Sequence, residues 1–365
     1  ASSVFMSFYL KNTFKKNNVL VCAFSLLYTF SGYFCAYYWN IMWLDGLIFL
    51  PLITLGIENI VNKNNGILYT ISLTTMLFSN YFIGYMLCIF SCIYFIAYLI
   101  IKTNKINIKS LLKTIMIFTI CSLISGALNA WALIPMFEAL TSTSATGSTF
   151  PTSQYYAFTI PEFFKNHLTG VNSVVFASDI SNSPNVSCGI LSIALCILFI
   201  LNNKISTKRK IIYISLLIIL LLSFYIAPID YIWHAFHVPN DLPYRYSFIY
   251  TFVLIIISAY SLKKIKETSF IKVLIAYVLS GIFITYVYLT GFDNITQDMI
   301  KINYALLTTY FLIYTLNYFY PKYKKIATTI FLSVIALECI LTTNHNWDIL
   351  QYIDEFYATY NDTHN

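Results

Sequence analysis

Charged residues are scarce in this sequence. Only 15 acidic and 22 basic side chains occur among 365 residues, or 10%, whereas hydrophobic residues make up 58%. A chain with so little charge cannot cover a hydrophobic core with a polar surface, and its mean hydropathy of +0.70 agrees. The composition therefore excludes a water-soluble globular protein and indicates an integral membrane protein.

Several signatures of common site chemistry are also missing. The sequence has no GxSxG, no phosphate-binding loop, no HExxH and no dinucleotide-binding glycine pattern, so chemistry on soluble nucleotides is unsupported. The eight cysteines show no CxxC or Cys/His spacing and lie mostly in apolar runs, so we interpret them as small packing residues. Neither an internal repeat nor an inverted pair of interrupted helices occurs, which weakens a transporter interpretation.

The sequence does contain a long series of apolar runs. Each is close to the ~20 residues that a helix needs to cross ~30 Å of hydrocarbon. They predict an all-α, polytopic transmembrane bundle with about eleven complete spans and a partial one at the start. The complete spans are predicted at 18–38, 44–62, 67–80, 84–101, 111–134, 187–202, 211–228, 247–262, 270–290, 302–320 and 326–342. The short run at 67–80 could instead be a bent or re-entrant element.

The distribution of charge predicts the orientation of this bundle. Alternating spans place nineteen of the 22 lysines and arginines on one side, and only Lys165, Arg245 and Lys301 on the other. The positive-inside rule makes the basic side cytoplasmic in a multi-pass protein of the cell membrane. The net charge of +7 thus reports topology and membrane-lipid contact, and we expect no nucleic-acid partner. All five histidines and most acids lie outside, so any functional face is expected to be extracytoplasmic.

The domain organisation follows from the same runs. We predict a membrane domain at 1–342, with a long extracytoplasmic loop at 135–186, and the start of an extracytoplasmic segment at 343–365. Within the loop, 141–153 is expected to be a flexible surface segment and 155–170 a short amphipathic helix on the outer leaflet. Residues 1–10 resemble the last turns of a helix already under way, which predicts that the chain is a fragment.

Acidic residues are expected to be nearly absent from the spans. We take Glu338, near the outer end of its span, as the one acid inside the membrane. A single acid provides too few titratable groups for a proton relay across the membrane. Asp45 lies at the start of another span, where transfer into hydrocarbon would cost about 2.5 to 3.5 kcal/mol. It therefore either caps its helix or faces a water-filled cavity.

Three predicted external segments concentrate polar and aromatic side chains at the ends of spans: 40–45, 79–85 and 230–246. Arg245 is the only arginine on this side, suited to bind a phosphate bidentately or to act as a snorkelling anchor. Asn80 either satisfies freed backbone groups or hydrogen-bonds a sugar hydroxyl above a neighbouring tyrosine.

A metal site is not supported by any ligand motif. His234 and His237 at i, i+3, with Asp230 or Asp241, would be the place for a divalent ion, but prolines interrupt the helix nearby and no standard zinc spacing occurs. We predict no cofactor.

The three segments carry a resemblance to a known family. SGYFCAYYWNIMWLDGLIFLPLITLGIE, SNYFIGYM and PNDLPYRYSFIYTF are similar, in the same order, to stretches typical of the YfhO family of bacterial membrane proteins. The resemblance covers essentially the whole chain. It implies a fold similar to the GT-C glycosyltransferases, a polyprenyl-phosphate-linked sugar as donor, and an acceptor such as lipoteichoic acid or another cell-wall polymer of Gram-positive bacteria.

The resemblance also implies where the chemistry lies. Family members carry an acidic catalytic residue, an Asp followed by Gln-Tyr, in a first external loop that would precede Ala1, so Asp45 is offered as a second acid or a neighbour of the lipid site. Arg245, His234 and Tyr244 are assigned to the lipid phosphate. The side chains assigned to the substrate are Asn40, Trp43, Asn80, Tyr81, Tyr85, Trp233, His237 and Asp241.

Two other functions stay open. The chain could be a transporter or flippase of a lipid-linked intermediate or surface polymer, or a scaffold in envelope assembly. For the transferase we expect Asp45, Asn80 and Arg245 to line one water-filled pocket at the outer interface, with the 135–186 loop as its roof and 155–164 as a lid.

Overall fold

The structure, a computed structural model, describes residues 1–15, 18–103, 107–141, 150, 158–175, 183–238, 242–292 and 295–345. Over these ranges the chain is helical, with no strand. Its α-helices, numbered in chain order, are α1 Ser2–Phe14, α2 Asn18–Thr29, α3 Gly32–Tyr37, α4 Ile41–Lys63, α5 Ile67–Ser79, α6 Tyr81–Lys102, α7 Ile108–Leu128, α8 Ala130–Thr141, α9 Ile160–Lys165, α10 Ile190–Leu201, α11 Thr207–Tyr225, α12 Ala227–Trp233, α13 Ser247–Lys263, α14 Phe270–Leu289, α15 Gln297–Phe319 and α16 Lys324–His345.

Within the described ranges, seven helical segments are long and apolar enough to cross a membrane: Asn18–Tyr37, Ile41–Lys63, Tyr81–Lys102, Ile108–Leu128, Phe270–Leu289, Gln297–Phe319 and Pro321–Asn344. Helices α11 and α12 meet at 100° and would add an eighth if they form one span. The polytopic helical bundle is therefore confirmed. Each of the eleven predicted spans overlaps a helix, but α5, α10 and α13 are shorter than a full span, so eleven remains a prediction.

Helix α13 forms the centre of the bundle. Fourteen of its 17 residues are buried, and it packs against α2, α4, α10 and α11. A helix that is apolar and buried around its whole circumference lies inside a bundle rather than on its surface. The most exposed of the spanning helices are α7 and α14, as expected for helices that face lipid.

Helices α4, α5 and α6 form a tightly packed group. Asn80 ends α5 and also begins α6, so a single residue joins two helices. Gly56 lets α5 approach α4 closely, because a Cβ atom there would lie 2.5 Å from the backbone of Tyr69. The position of the α5–α6 turn is therefore fixed by the packing of α5 on α4.

The lysine-rich connections between helices lie at one end of the bundle, which we call the lysine-rich end. Lys208 Nζ donates to the Thr103 carbonyl at 2.6 Å, and the Arg209 guanidinium lies 4.6 Å from the Tyr260 ring. The three segments at 40–45, 79–85 and 230–246 meet at another place, the aromatic end. There Tyr37, just before the first segment, donates to the Pro243 carbonyl at 2.8 Å.

The long connection between α8 and α10 is packed into the protein where it is described. We call residues 158–175 and 183–189 the docked loop. Its helix α9 starts with a capping box between Thr159 and Glu162, but Phe163 and every residue from 165 to 169 are buried. The prediction that 155–170 lies on the outer leaflet is therefore wrong for the described part, because the bundle provides buried polar partners for it.

Other predicted segments have few described residues. Of the expected flexible segment 141–153, nearly all lies outside the described ranges. Helix α16 continues past 342 to His345, so the first residues of the predicted C-terminal segment are helical. Residues 346–365 lie outside the described ranges.

Candidate functional site at the aromatic end

The aromatic end brings the three predicted segments into direct contact. The guanidinium of Arg245 lies 4.9 Å from the centroid of Trp43 on α4 and 4.9 Å from that of Phe82 on α6. Its Nε donates to the Leu242 carbonyl at 3.0 Å. A guanidinium between two aromatic faces keeps a fixed position, and its planar fork matches the geometry of a phosphate.

Asp45 lies at the same end of the bundle, where it contacts Ser79 at the end of α5. Helix α4 begins at Ile41 after Asn40, so Asp45 is the fifth helical residue and the first turn has no acid. The alternative that Asp45 caps its helix is therefore wrong. Its carboxylate accepts a hydrogen bond from the Ser79 hydroxyl at the end of α5. Because Asp45 is only half-buried, its second oxygen can receive a proton from a molecule outside.

Asn80 has a structural role at this position. Its Oδ1 accepts from the Ile83 amide at 2.9 Å and caps α6, while its Nδ2 donates to the Met42 carbonyl at 3.1 Å. Of the two alternatives for Asn80, the structure supports satisfaction of freed backbone groups. Tyr81, by contrast, is exposed, and Tyr85 donates to the Ile232 carbonyl at 3.1 Å. Asn40 is the half-buried residue before α4, without a side-chain cap bond.

The third segment, 230–246, places a buried histidine against one of the rings that contact Arg245. His234 is fully buried, with Nδ1 2.9 Å from the Asp230 carbonyl and 3.3 Å from the Asp230 carboxylate. Because both partners of Nδ1 are acceptors, Nδ1 carries a proton, and Nε2 has no hydrogen-bond partner in the described part of the chain. The ring contacts Phe82 at 6.1 Å. His234 therefore packs against Phe82, one of the two rings that contact the Arg245 guanidinium.

Trp233 and Tyr244, assigned to the substrate and the phosphate, are also buried. Trp233 stacks on Tyr246 at 4.5 Å between centroids, and Tyr246 donates to Asp230 at 2.9 Å. Tyr244 packs between Phe158 and Phe224. Trp233 and Tyr244 therefore form the buried interior of this segment, whereas the ring of Trp43 contacts Arg245.

The backbone of this segment is strained. Of the six non-glycine residues with positive φ in the described ranges, four lie here, with φ of 55° to 61°: Ala235, Phe236, Leu242 and Tyr244. Each left-handed residue costs roughly 1–2 kcal/mol, and such strain persists only where surrounding contacts hold it. Strain of this kind is typical of functional sites.

No metal site is found here. The described histidines, cysteines and acids form no group of three that could hold an ion, and Asp241 lies outside the described ranges. His237 is half-buried, and burial lowers its pKa, as do the neighbouring charges of Arg245 and His234. A neutral His237 beside Arg245 does not compete with that arginine for an anion.

The loop between α8 and α10 reaches this end of the bundle. Phe150 packs against Tyr231 at 5.5 Å, and Phe158 packs against Tyr244 at 5.7 Å between ring centroids. These contacts bring Phe150 and Phe158 against the segment that contains Arg245, and a roof over a pocket there remains a prediction. Residues 155–157 of the predicted lid lie outside the described ranges, and a pocket lined jointly by Asp45, Asn80 and Arg245 remains a prediction.

Two buried carboxylates lie inside the helices, so the expectation of a single acid was wrong. Glu58, in α4, accepts from Tyr9 at 3.0 Å, Tyr94 at 2.9 Å and Thr13 at 3.1 Å. It was missed because it stands close to the polar break that follows its span. The signal that could have found it is the pair of tyrosines in the neighbouring apolar helices.

Glu338, the expected acid, fastens the docked loop. It accepts from the Thr169 hydroxyl at 2.7 Å, the Ile190 amide at 2.7 Å and the Tyr310 hydroxyl at 2.6 Å. Asn303 of α15 bonds both the amide and the carbonyl of Thr169. Both acids are therefore fully used by protein donors, which favours a structural role over ion transport.

Comparison with known proteins identifies a family. The family model described as "Bacterial membrane protein YfhO" matches residues 1–363, which is essentially the whole chain. No curated protein and no solved structure matches.

Proposed function

The chain belongs to the YfhO family of bacterial membrane proteins, and from this membership and the aromatic end we propose that it is a membrane glycosyltransferase. Its donor is a sugar linked to polyprenyl phosphate, and its acceptor is a hydroxyl group of a cell-surface polymer such as lipoteichoic acid. The reaction takes place on the extracytoplasmic side. With eleven spans, as predicted from the sequence, the bundle would be GT-C-like.

The observation that carries this proposal is the position of Arg245. Its guanidinium lies between Trp43 and Phe82, and Asp45 follows Trp43 by two positions on the same helix. A fixed cation and a half-buried carboxylate at the same end of the bundle are the two groups that a reaction with an anionic leaving group and a hydroxyl nucleophile requires.

The mechanism is a direct displacement. A carboxylate takes the proton from the acceptor hydroxyl, whose oxygen attacks the anomeric carbon while the bond to the polyprenyl phosphate breaks. The phosphate leaves with the bonding electron pair, and the configuration of the sugar is inverted. Negative charge grows on the leaving oxygen in the transition state, where Arg245 is most effective.

The carboxylates have different parts in this proposal. By the family resemblance, the principal general base is an Asp of a first external loop. Asp45 is the acid contributed at the aromatic end, where the bond from Ser79 orients it. Tyr81, which is exposed, offers a ring to the sugar, and Trp43 and Phe82 hold Arg245 in place.

The test uses membranes that contain the full-length protein, a polyprenyl-phosphate sugar with a radiolabelled sugar, and lipoteichoic acid as acceptor. We expect Arg245→Ala to lower kcat by about 10²-fold or more, and Arg245→Lys to restore part of it, because a lysine keeps the charge but loses the planar fork. Lys301→Ala, an exposed lysine paired with Asp298, is the matched control.

Two results would contradict the proposal. One is the absence of sugar transfer by the unmodified protein, together with flux of the labelled lipid across vesicles without any acceptor, which supports the transporter. The other is wild-type activity of Arg245→Ala, which would reject the assignment of the phosphate site even if transfer occurs.

A further inference from the structure

A cavity opens at the lysine-rich end, far along the helices from the aromatic end. It has a volume of about 470 Å³ and lies between α13, α15 and α16, with α10 as its floor. Leu191 and Leu195 form the floor, and Ile313 and Phe331 form the walls. The volume lies within the range of small-molecule sites, and the lining is largely apolar.

The rim of the cavity is basic. Lys263, Lys266 and Lys324 line it, no acidic residue does, and none of the three lysines has an ion pair in the described part of the chain. Lys264, in contrast, is neutralised by Glu267 at 2.8 Å. Three lysines at the mouth of an apolar cavity create a site for a molecule with an anionic head and an apolar body.

A polar group inside the cavity lacks a partner. The Tyr314 hydroxyl is buried, has no hydrogen-bond partner in the described ranges, and lines the cavity. It also lines a smaller adjoining space of about 60 Å³ beside Leu307 and Phe311. A buried hydroxyl without a partner is costly, so an acceptor from a bound molecule is expected there.

We propose that this cavity binds an anionic glycerophospholipid from the membrane leaflet at the lysine-rich end. The phosphate lies among Lys263, Lys266 and Lys324, one acyl chain lies along Leu191 and Leu195, and an ester carbonyl accepts from Tyr314. Apolar walls that open among membrane helices select a lipid over a soluble phosphate, and the lysines select an anionic over a zwitterionic headgroup. By the positive-inside rule this is the cytoplasmic leaflet.

This site is independent of the proposed transferase chemistry. Its rim lysines lie at the end of α13, just after that helix and at the start of α16, whereas Arg245 lies before α13 at the other end of that helix. A failure of one proposal therefore leaves the other unaffected.

The experiment measures lipid retention by native mass spectrometry of the purified protein, with phosphatidylglycerol and phosphatidylcholine as probes. We expect phosphatidylglycerol to be retained and phosphatidylcholine not. The triple variant Lys263→Gln, Lys266→Gln, Lys324→Gln should weaken phosphatidylglycerol binding at least about tenfold, because each lysine near an anionic headgroup contributes to affinity.

The matched control removes the same charge from neighbouring positions. Lys264→Gln, Lys322→Gln, Lys325→Gln leaves the cavity rim intact and should bind like the unmodified protein. Tyr314→Phe keeps the ring and the fold but removes the hydroxyl, and should weaken binding severalfold. Because the aromatic ring is kept, the Tyr314→Phe variant should fold like the unmodified protein. Weaker lipid binding by this variant would therefore report the lost hydroxyl and not a loss of folding.

Three results would overturn the proposal. They are equal retention of both lipids, equal weakening by the two lysine triples, and displacement of phosphatidylglycerol by glycerol phosphate or inorganic phosphate at matched concentration. The last result would mean that the rim binds soluble anions without using the apolar cavity.

Discussion

Glu338 is buried inside the bundle and receives three donors. Because one of them is the Ile190 amide, Glu338→Ala leaves a backbone N–H and two hydroxyls without an acceptor. We expect a loss of about 3 kcal/mol or more in the free energy of unfolding, whereas Tyr310→Phe should cost about 1 kcal/mol. Thermal unfolding in detergent measures both, and Glu267→Ala, at an exposed ion pair, should be near neutral. Equal stability of Glu338→Ala and Glu267→Ala would contradict this account.

His167 makes the docked loop sensitive to acid. Its Nδ1 donates to the Phe163 carbonyl and its Nε2 accepts from Tyr250, each at 3.0 Å, and burial lowers its pKa from 6.5 to about 4. Between these values the unfolded loop binds a proton that the docked loop does not. Stability should therefore fall as the pH drops from 6.5 to 4, by up to about 3 kcal/mol.

The measurement for His167 is the unfolding temperature between pH 7 and 4.5. In His167→Gln this part of the pH dependence should disappear, because glutamine does not titrate. His237→Gln is the control, since His237 lies in a different segment and its removal should leave the effect of His167 in place. A profile unchanged by His167→Gln would refute the assignment.

At the residue scale, sequence reasoning reached the alternatives but could not always choose between them. Asn80 was a candidate for either backbone satisfaction or sugar binding, and only the positions of Ile83 and Met42 decide for the first. The burial of His234 and Trp233 could not be predicted from the sequence, because it depends on aromatic rings that lie on other helices.

At the scale of elements, the contact between α4 and α5 holds the aromatic end in place. A methyl group at Gly56 would meet the backbone of Tyr69 at 2.5 Å and push α5 away from α4. Since α5 ends at Ser79 and Asn80, which bond Asp45 and Met42, we expect Gly56→Ala to lower stability by about 1–3 kcal/mol and to lower transfer activity as well.

Gly126 in α7 is the matched control for Gly56. A Cβ atom there meets nothing within 4 Å, so Gly126→Ala should be neutral or stabilise the protein by up to about 1 kcal/mol. Both variants can be compared by thermal unfolding and by the sugar-transfer assay. If Gly126→Ala were the more harmful change, close packing of α4 on α5 would not be what fixes the aromatic end.

The sequence was informative about helices and uninformative about the docked loop. Hydrophobic runs predicted a helix at every span because lipid and core both favour apolar side chains. The loop was predicted to lie on the leaflet, since its aromatic residues suit an interface. Its actual partners, Tyr250 and Asn303, lie 83 and 134 positions later in the chain, and no local pattern encodes that distance.

For the whole molecule, the orientation in the membrane is the property on which the proposals depend. In a chain whose own cysteines are replaced, Lys301→Cys should react with a membrane-impermeant maleimide on intact cells, and Lys322→Cys only after permeabilisation. Both lysines are exposed, so accessibility to solvent does not differ between them. The reverse labelling pattern would place the aromatic end in the cytoplasm and exclude the extracytoplasmic reaction.

The attachment of the docked loop to Glu338 also has a consequence for biogenesis. Thr169 leaves the ribosome 169 residues before Glu338, which at about 5–20 residues per second is roughly 10 to 30 s. Throughout that interval the Thr169 hydroxyl lacks its carboxylate acceptor and must stay hydrated. The attachment of the loop is therefore complete only after the last described helix has been inserted, so nascent chains that stall earlier display an incompletely attached loop to the quality-control proteases of the membrane.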